Sequence, residues 1–214
     1  MNKINWYEKI APFYDLGTMG DFFYRGPRQS AINLLNLTSG AVVADIFCGT
    51  GVNFPLLHNH IGEKGHILAI DGSEAMLEKA KLRSKKLGLD DTNITFLQGN
   101  VSQPEVIDRI IKSIQNQQAQ HIFFSLGLTC LENWREFCLA IIDASTSGTR
   151  FAILDAYRER LTLGARYMNW IGSADCRRPV WQVLEQRCES FVKQEYWPFK
   201  VLDVSVIVAS GTKP

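Results

Sequence analysis

The chain of 214 residues predicts an α/β fold: a seven-stranded mixed sheet with helices on both faces and its last strand antiparallel. Three observations carry that prediction. Short apolar runs that end in an acid, Ala41 to Ile46 (AVVADI, with Asp45) and His66 to Asp71 (HILAID), alternate with longer amphipathic stretches, the pattern of buried parallel strands joined by helices. A glycine loop, Cys48 to Gly51 (CGTG), follows the first strand at once and opens into a helix. The chain closes on Glu189 to Trp197 and Val201 to Ala209, two strand-like runs around a turn at Pro198, and a hairpin reverses strand direction.

The other elements follow in order. Residues 1–30 hold seven aromatics, Trp6, Tyr7, Phe13, Tyr14, Phe22, Phe23 and Tyr24, among the breakers Pro12, Gly17, Gly20, Gly26 and Pro27. Trp6, Tyr7, Ile10, Phe13 and Tyr14 have helical spacing, which predicts a short amphipathic segment packed over something, either a fixed cap on the sheet or a lid. Pro27 starts a scaffold helix through RQSAINLLNL. Phe54 to Ile61 is the helix after the loop. Ser73 caps the next one and Gly88 ends it, with Lys79, Lys81, Arg83, Lys85 and Lys86 forming a solvated face toward its C-terminus. Strands are predicted at Asn93 to Gln98, through QHIFFS to Ser125, and from Arg150 to Leu154 with Asp155 ending it; helices are predicted from Pro104 to about Gln117 and from Leu131 to Ala144. Residues 156–187 read as less regular, with five arginines (158, 160, 166, 177 and 178) that are either a solvated face or a clamp for an anionic group.

Composition bounds the partners. With 46% hydrophobic and 21% charged residues and a net charge of +1, one domain with a full core is expected. The pI of about 7.6 gives no nucleic-acid footprint. Five cysteines without CxxC spacing fit free thiols in a reducing compartment, so the expected location is cytoplasmic. No metal is predicted, since His58 and His60 point to different sides of a helix.

The loop narrows the ligand. Gly49 and Gly51 flank Thr50, letting backbone approach a ligand that a Cβ at either position would obstruct. A dinucleotide fingerprint needs a third glycine where Phe54 stands. Asp45 would repel a pyrophosphate but suits an ammonium or sulfonium group. Asp71, about 20 residues past Gly51, could take both hydroxyls of a ribose. Together these favour S-adenosylmethionine.

On DIFCGTG, AIDGSEAML and FLQGNVSQP, the chain resembles the three successive cofactor motifs of class I S-adenosylmethionine-dependent methyltransferases. Overall it is similar to the group that includes ubiquinone and menaquinone C-methyltransferases and phospholipid N-methyltransferases. The resemblance implies one Rossmann-like domain over 1–214. It places Arg25, Asp45, Phe47, Cys48, Gly49, Thr50, Gly51, Asn53, Phe54, Asp71, Gly72, Met76, Gly99, Asn100, Val101, Ser125 and Leu126 around the cofactor. Gly99-Asn100 stands where the family has glycine and aspartate; an asparagine amide can both accept from an adenine amino group and donate to its ring nitrogen. YEKIAPFYD resembles the segment that covers the active site in this group, which makes residues 1–30 a lid with Tyr14 near the sulfonium, and residues 156–187 a substrate-side insertion. Tyr14, Asp155, His121 and Tyr167 are unranked candidates for proton acceptor, His121 reading more as a structural residue at a strand start, while Tyr7 joins Tyr14 as a ring face toward the sulfonium with a hydroxyl within reach of cofactor or acceptor.

The expected activity is methyl transfer to a small apolar, amine or lipid-like acceptor. Nucleic-acid bases are disfavoured, because the fourth strand ends in SLGL rather than an Asn/Asp-Pro-Pro-aromatic motif. Other chemistry of the same cofactor (aminocarboxypropyl transfer, or cyclisation releasing methylthioadenosine), a nicotinamide dehydrogenase and a non-catalytic binding domain stay open. So do oligomeric state and peripheral contact with a membrane.

Overall fold

A computed structural model describes residues 23–101 and 103–214. The aromatic segment before them, with Tyr7 and Tyr14, lies outside the described residues. The elements are α1 (Arg25–Leu34), β1 (Val42–Ile46), α2 (Phe54–Ile61), β2 (His66–Asp71), α3 (Glu74–Lys86), β3 (Ile94–Gln98), α4 (Pro104–Asn116), β4 (His121–Ser125), α5 (Trp134–Ala144), β5 (Arg150–Tyr157), α6 (Leu163–Gly172), α7 (Gln182–Arg187), β6 (Glu189–Phe199) and β7 (Val204–Thr212). The strand order is β3-β2-β1-β4-β5-β7-β6. β1 to β5 are mutually parallel, and β7 lies antiparallel between β5 and β6. The predicted seven-stranded mixed sheet of Rossmann-like type is observed.

Strand alternation sorts the core into two layers. Val43, Ile67, Ala69, Phe123 and Leu154 point toward α1, α2 and α3, where Ile32, Phe54, Leu57 and Leu77 meet them. Ala44, Ile46, Leu68, Phe124 and Ile153 point the other way, onto Ile110 of α4, Phe137 and Ile141 of α5, and Leu184 of α7. The order of β1 beside both β2 and β4 puts the switch point of the sheet at the carboxyl end of β1, where ligands of such sheets bind.

Several predicted boundaries move, each for a tertiary reason. β5 does not stop at Asp155, because β7 continues to pair with it to Tyr157, opposite Ser205. Pro198 is not the hairpin turn. It lies inside β6, an edge strand that tolerates a missing N–H, and the reversal is a 3₁₀ turn at Lys200–Leu202. Helix α5 starts at Trp134 rather than Leu131, since Leu128–Cys130 forms a separate 3₁₀ turn. The stretch read as irregular contains α6, capped by the Thr162 hydroxyl accepting from Ala165 N–H at 3.2 Å, and α7.

Phe124 is fully buried and meets Phe137 edge to face, ring centroids 6.2 Å apart. Phe124→Ala is expected to lower stability by about 3–5 kcal/mol, measured by denaturant unfolding; a loss under 1 kcal/mol, roughly the range of volume-conserving swaps, would contradict this packing.

Candidate active site

The carboxyl ends of β1 and β2 are joined by one carboxylate. Asp71 closes β2, and its Oδ2 accepts from Gly49 N–H at 2.8 Å while its Oδ1 accepts from Ser73 N–H at 2.9 Å. Its backbone carbonyl accepts from Gly99 N–H at 2.9 Å, which brings in the end of β3. Thus Gly49, Asp71 and Gly99 are neighbours, as the sequence reading required.

The two loop glycines have different reasons. Gly49 has φ +54, and no described residue lies within 4 Å of the place a Cβ would occupy. At Gly51, φ is +78 and a Cβ would come within 2.4 Å of the Phe54 ring. Gly51 is therefore required by Phe54, and not only by a ligand. Phe54 itself is fully buried against Phe96, a core residue of α2. Gly99 is similar: a Cβ there would lie 3.0 Å from Val106 and 3.2 Å from Ile110, so it lets α4 pack closely.

Asp45 does not reach the open side of the loop. It is fully buried, and Asn53 Nδ2 donates to its Oδ1 at 2.8 Å and its Oδ2 at 3.0 Å. Arg28 of α1, also buried, donates to Asn53 Oδ1 at 3.1 Å. Burial pushes the Asp45 carboxyl up to about 7, against the lowering effects of the Asn53 hydrogen bond and the Arg28 charge. Arg25, the arginine expected at the site, is exposed at the start of α1; Arg28, one turn on, is the one that contacts the loop. Arg83, read as part of a solvated face, donates from Nε to the Thr50 carbonyl at 2.9 Å and braces the loop from α3.

Two residues on adjacent strands are held in the left-handed region. Phe47, after β1, has φ 64 and Leu126, after β4, has φ 56. A branched or bulky side chain adopts this conformation at a cost, typically at functional edges. Phe47 packs on Phe137, and Gly127 has no room for a Cβ because the Phe47 ring would be 2.2 Å away. Cys48, Thr50, Met76, Val101 and Ser125 are buried, so they shape the site from beneath. Beside them, Gly72 and Asn100 line an open cleft of about 580 Å³ together with Leu97, Gln98, Gln103 and Arg109. Leu97, Gln98 and Gln103 fall within the FLQGNVSQP stretch, whereas no motif marks Arg109, which α4 brings in.

Asp155 is buried within β5. Its Oδ2 accepts from Thr129 N–H at 3.1 Å, and its Oδ1 accepts from the Thr129 hydroxyl at 2.7 Å and from Ala156 N–H at 2.9 Å. Burial raises its pKa to about 6. It holds the turn after β4 and is not placed to accept a proton from an acceptor molecule. His121 sits at the amino end of β4, the far end from the loop, beside the Leu35 carbonyl at 3.1 Å. Tyr167 lies on the exposed side of α6. Three of the five arginines are committed within the protein: Arg158 to Asp203, Arg177 to Asp175, and Arg178 to the Thr129 carbonyl. All five cysteines are free, and no cluster of three metal-ligating side chains occurs among the described residues.

Asp45 and Asp155 predict an unusual pH dependence. Both carboxyls have folded-state pKa values above the ordinary 3.8, so the folded state binds protons that the unfolded state has released. Their contribution to stability is present below about pH 4 and is lost as pH rises toward 6–7. Asp45→Asn is expected to flatten the fall in stability between those pH values, followed by denaturant melts at each pH. An unchanged slope would show that Asp45 is ionised in the folded protein throughout.

Comparison with known proteins agrees with this architecture. The chain is 28% identical over 166 residues to a 2-phytyl-1,4-naphtoquinone methyltransferase of Thermosynechococcus vestitus, covering 77% of this chain and 68% of that one. It is 29% identical over 99 residues to a demethylmenaquinone methyltransferase of Listeria monocytogenes, where it spans 41% of the relative's length. Among solved structures, geranyl diphosphate C-methyltransferase from Streptomyces coelicolor superposes with a TM-score of 0.67 at 10% identity, covering 89% of this chain and 79% of that one. Phosphoethanolamine N-methyltransferase 2 of Haemonchus contortus gives 0.66 at 11%, covering 97% and 60%. These two similarities concern the fold. A profile described as methyltransferase domain matches residues 37–176, and the chain belongs to that family.

Proposed function

We propose that the chain transfers the methyl group of S-adenosylmethionine to a small apolar, amine or lipid-like acceptor. The observation that carries this reading is the Gly49 N–H donated to Asp71. That bond sets a glycine next to a strand-end carboxylate, the pairing a nucleoside needs and a bare core turn does not. The absence of a third glycine, with Phe54 filling the space over Gly51, favours this cofactor over a dinucleotide. The lipid-like class of acceptor is supported by the quinone methyltransferases to which the chain is similar.

Bound in this cradle, S-adenosylmethionine supplies an electrophilic methyl carbon on a charged sulfur. The protein's task is then to position and desolvate. Asp71 would accept from the ribose hydroxyls, and Asn100, in the cleft beside Gly72, would pair with the adenine edge. Phe47 and Leu126, the two strained residues, flank the loop where β1 and β4 end. The first 25 residues, with Tyr7 and Tyr14, would act as a lid over the site, their ring faces attracting a sulfonium.

Asp71→Ala is expected to weaken cofactor binding by roughly 1–3 kcal/mol in calorimetry of a folded variant; unchanged affinity removes the ribose assignment. Deleting residues 1–25 should abolish turnover with the melting temperature nearly intact, whereas a large fall in melting temperature identifies a structural cap instead of a lid. The reaction itself is tested by incubating the protein with labelled S-adenosylmethionine and a cell extract. S-adenosylhomocysteine with a labelled acceptor is the expected outcome. Methylthioadenosine would mean attack at another carbon of the same cofactor, and cofactor binding without turnover would mean a binding domain.

A further inference from the structure

Helix α6 has apolar side chains on two faces. The inner face is fixed: Ala165 and Met168 pack with Cys176 and Val204. At Gly164 a Cβ would come within 1.9 Å of the Leu202 carbonyl oxygen, so α6 lies almost on the backbone of the β6–β7 turn. The outer face is equally defined. Leu163, Arg166, Tyr167 and Trp170 recur at helical spacing on one side, and Leu163 is 84% exposed, Tyr167 52% and Trp170 69%, with Leu161 at 37% just before the helix.

Isolated exposed apolar residues are ordinary, but a contiguous group is not. Of the eight large exposed hydrophobics among the described residues, Leu161, Leu163, Tyr167 and Trp170 fall within ten consecutive positions. The charge there has one sign. From Arg160 to Gly172 the sequence contains Arg160 and Arg166 and no acid, both arginines are exposed, and neither forms an ion pair among the described residues. The acids nearest in sequence or packing are mostly occupied, Asp175 by Arg177 and Asp203 by Arg158, which leaves Glu159.

We infer that the outer face of α6 docks on an anionic lipid surface. Leucine, tyrosine and tryptophan on one helix face with arginine beside them is the composition that settles at the headgroup–acyl boundary, and the basic residues are matched by anionic headgroups. The position is apt. β5 runs to Tyr157 at the carboxyl edge of the sheet, and α6 begins six residues later at Leu163, so docking would set the edge that carries the Gly49–Asp71 cradle against the lipid. No helix among the described residues is long and apolar enough to cross a membrane, so the contact is peripheral. The inference rests on the proposed function only in giving the docking a purpose.

The test is co-sedimentation of the full chain with phosphatidylcholine vesicles made with and without phosphatidylglycerol. Binding is expected only to the anionic vesicles and should weaken with salt. Leu163→Ser combined with Trp170→Ser should reduce the bound fraction roughly tenfold, Arg166→Glu should weaken it too, and Leu82→Ser, an exposed leucine on α3, should leave it unchanged. Absence of wild-type sedimentation, or equal sedimentation of the α6 variant, overturns the inference. A wild-type dimer lost in the α6 variant, without vesicle binding, assigns the face to a second copy and overturns it as well. Calorimetry with S-adenosylmethionine on the same variants separates the two proposals: lost vesicle binding with intact cofactor affinity concerns α6 alone, while absent cofactor affinity in the wild type concerns the active site.

Discussion

Asp45 is a carboxylate with no access to water at the end of the central strand, and its satisfaction organises the molecule around it. A buried acid without donors would cost several kcal/mol. Asn53 supplies one amide to both oxygens and then offers its own carbonyl oxygen to Arg28. Through these bonds the first helix, the central strand and the start of α2 are tied at one point. The glycine loop spans the gap between Asp45 and Asn53, so its path is set from below. Cys48 N–H continues the ladder to Ile70, and Gly51 N–H bonds back to Cys48, which closes the loop.

Above that foundation, the site is assembled by strand ends lying side by side. Asp71 gathers the amides of Gly49 and Ser73, while Arg83 reaches across from α3 to the Thr50 carbonyl. The strain stored at Phe47 and Leu126 sits where β1 and β4 part company. It is tolerated because Phe47 is wedged between Phe137 and the backbone of Gly127. On the next strand, Asp155 performs a similar service for the turn after β4, and Thr129 passes the connection on by accepting from Asp175 N–H and Arg178. Each of the two buried acids fixes a loop, and burial raises both pKa values against the lowering effect of the hydrogen bonds that hold those loops.

Residues 156–187 are built differently. Most of their arginines hold the protein to itself, and their apolar surplus faces outward on α6. The fold neighbours, which act on partners as unlike as a prenyl diphosphate and phosphoethanolamine, fit the general rule that such scaffolds keep the sheet and vary what sits at its edge.

How much was legible in the sequence depends on the range of the interaction. The strands, the glycine loop and the acid-ended β1 and β2 were readable because their signals are local: short apolar runs, residues without a Cβ, and a cap such as Ser73, whose hydroxyl accepts from Met76 N–H. The same logic placed Gly49 near Asp71. What the sequence misjudged depended on partners far along the chain. Asp45 looked like a ligand for a cation until Asn53, itself held by Arg28, was seen to occupy it; Pro198 looked like a turn until β6 proved to be an edge. Arg83 was indistinguishable from its lysine neighbours, and the two helices in 156–187 were hidden because α6 is apolar on both faces and shows no clean period. Chain-local chemistry thus determined the sheet and its nucleotide cradle, whereas the direction in which each acid and arginine points was decided by packing, since only the folded layers fix which donor a buried carboxylate can reach.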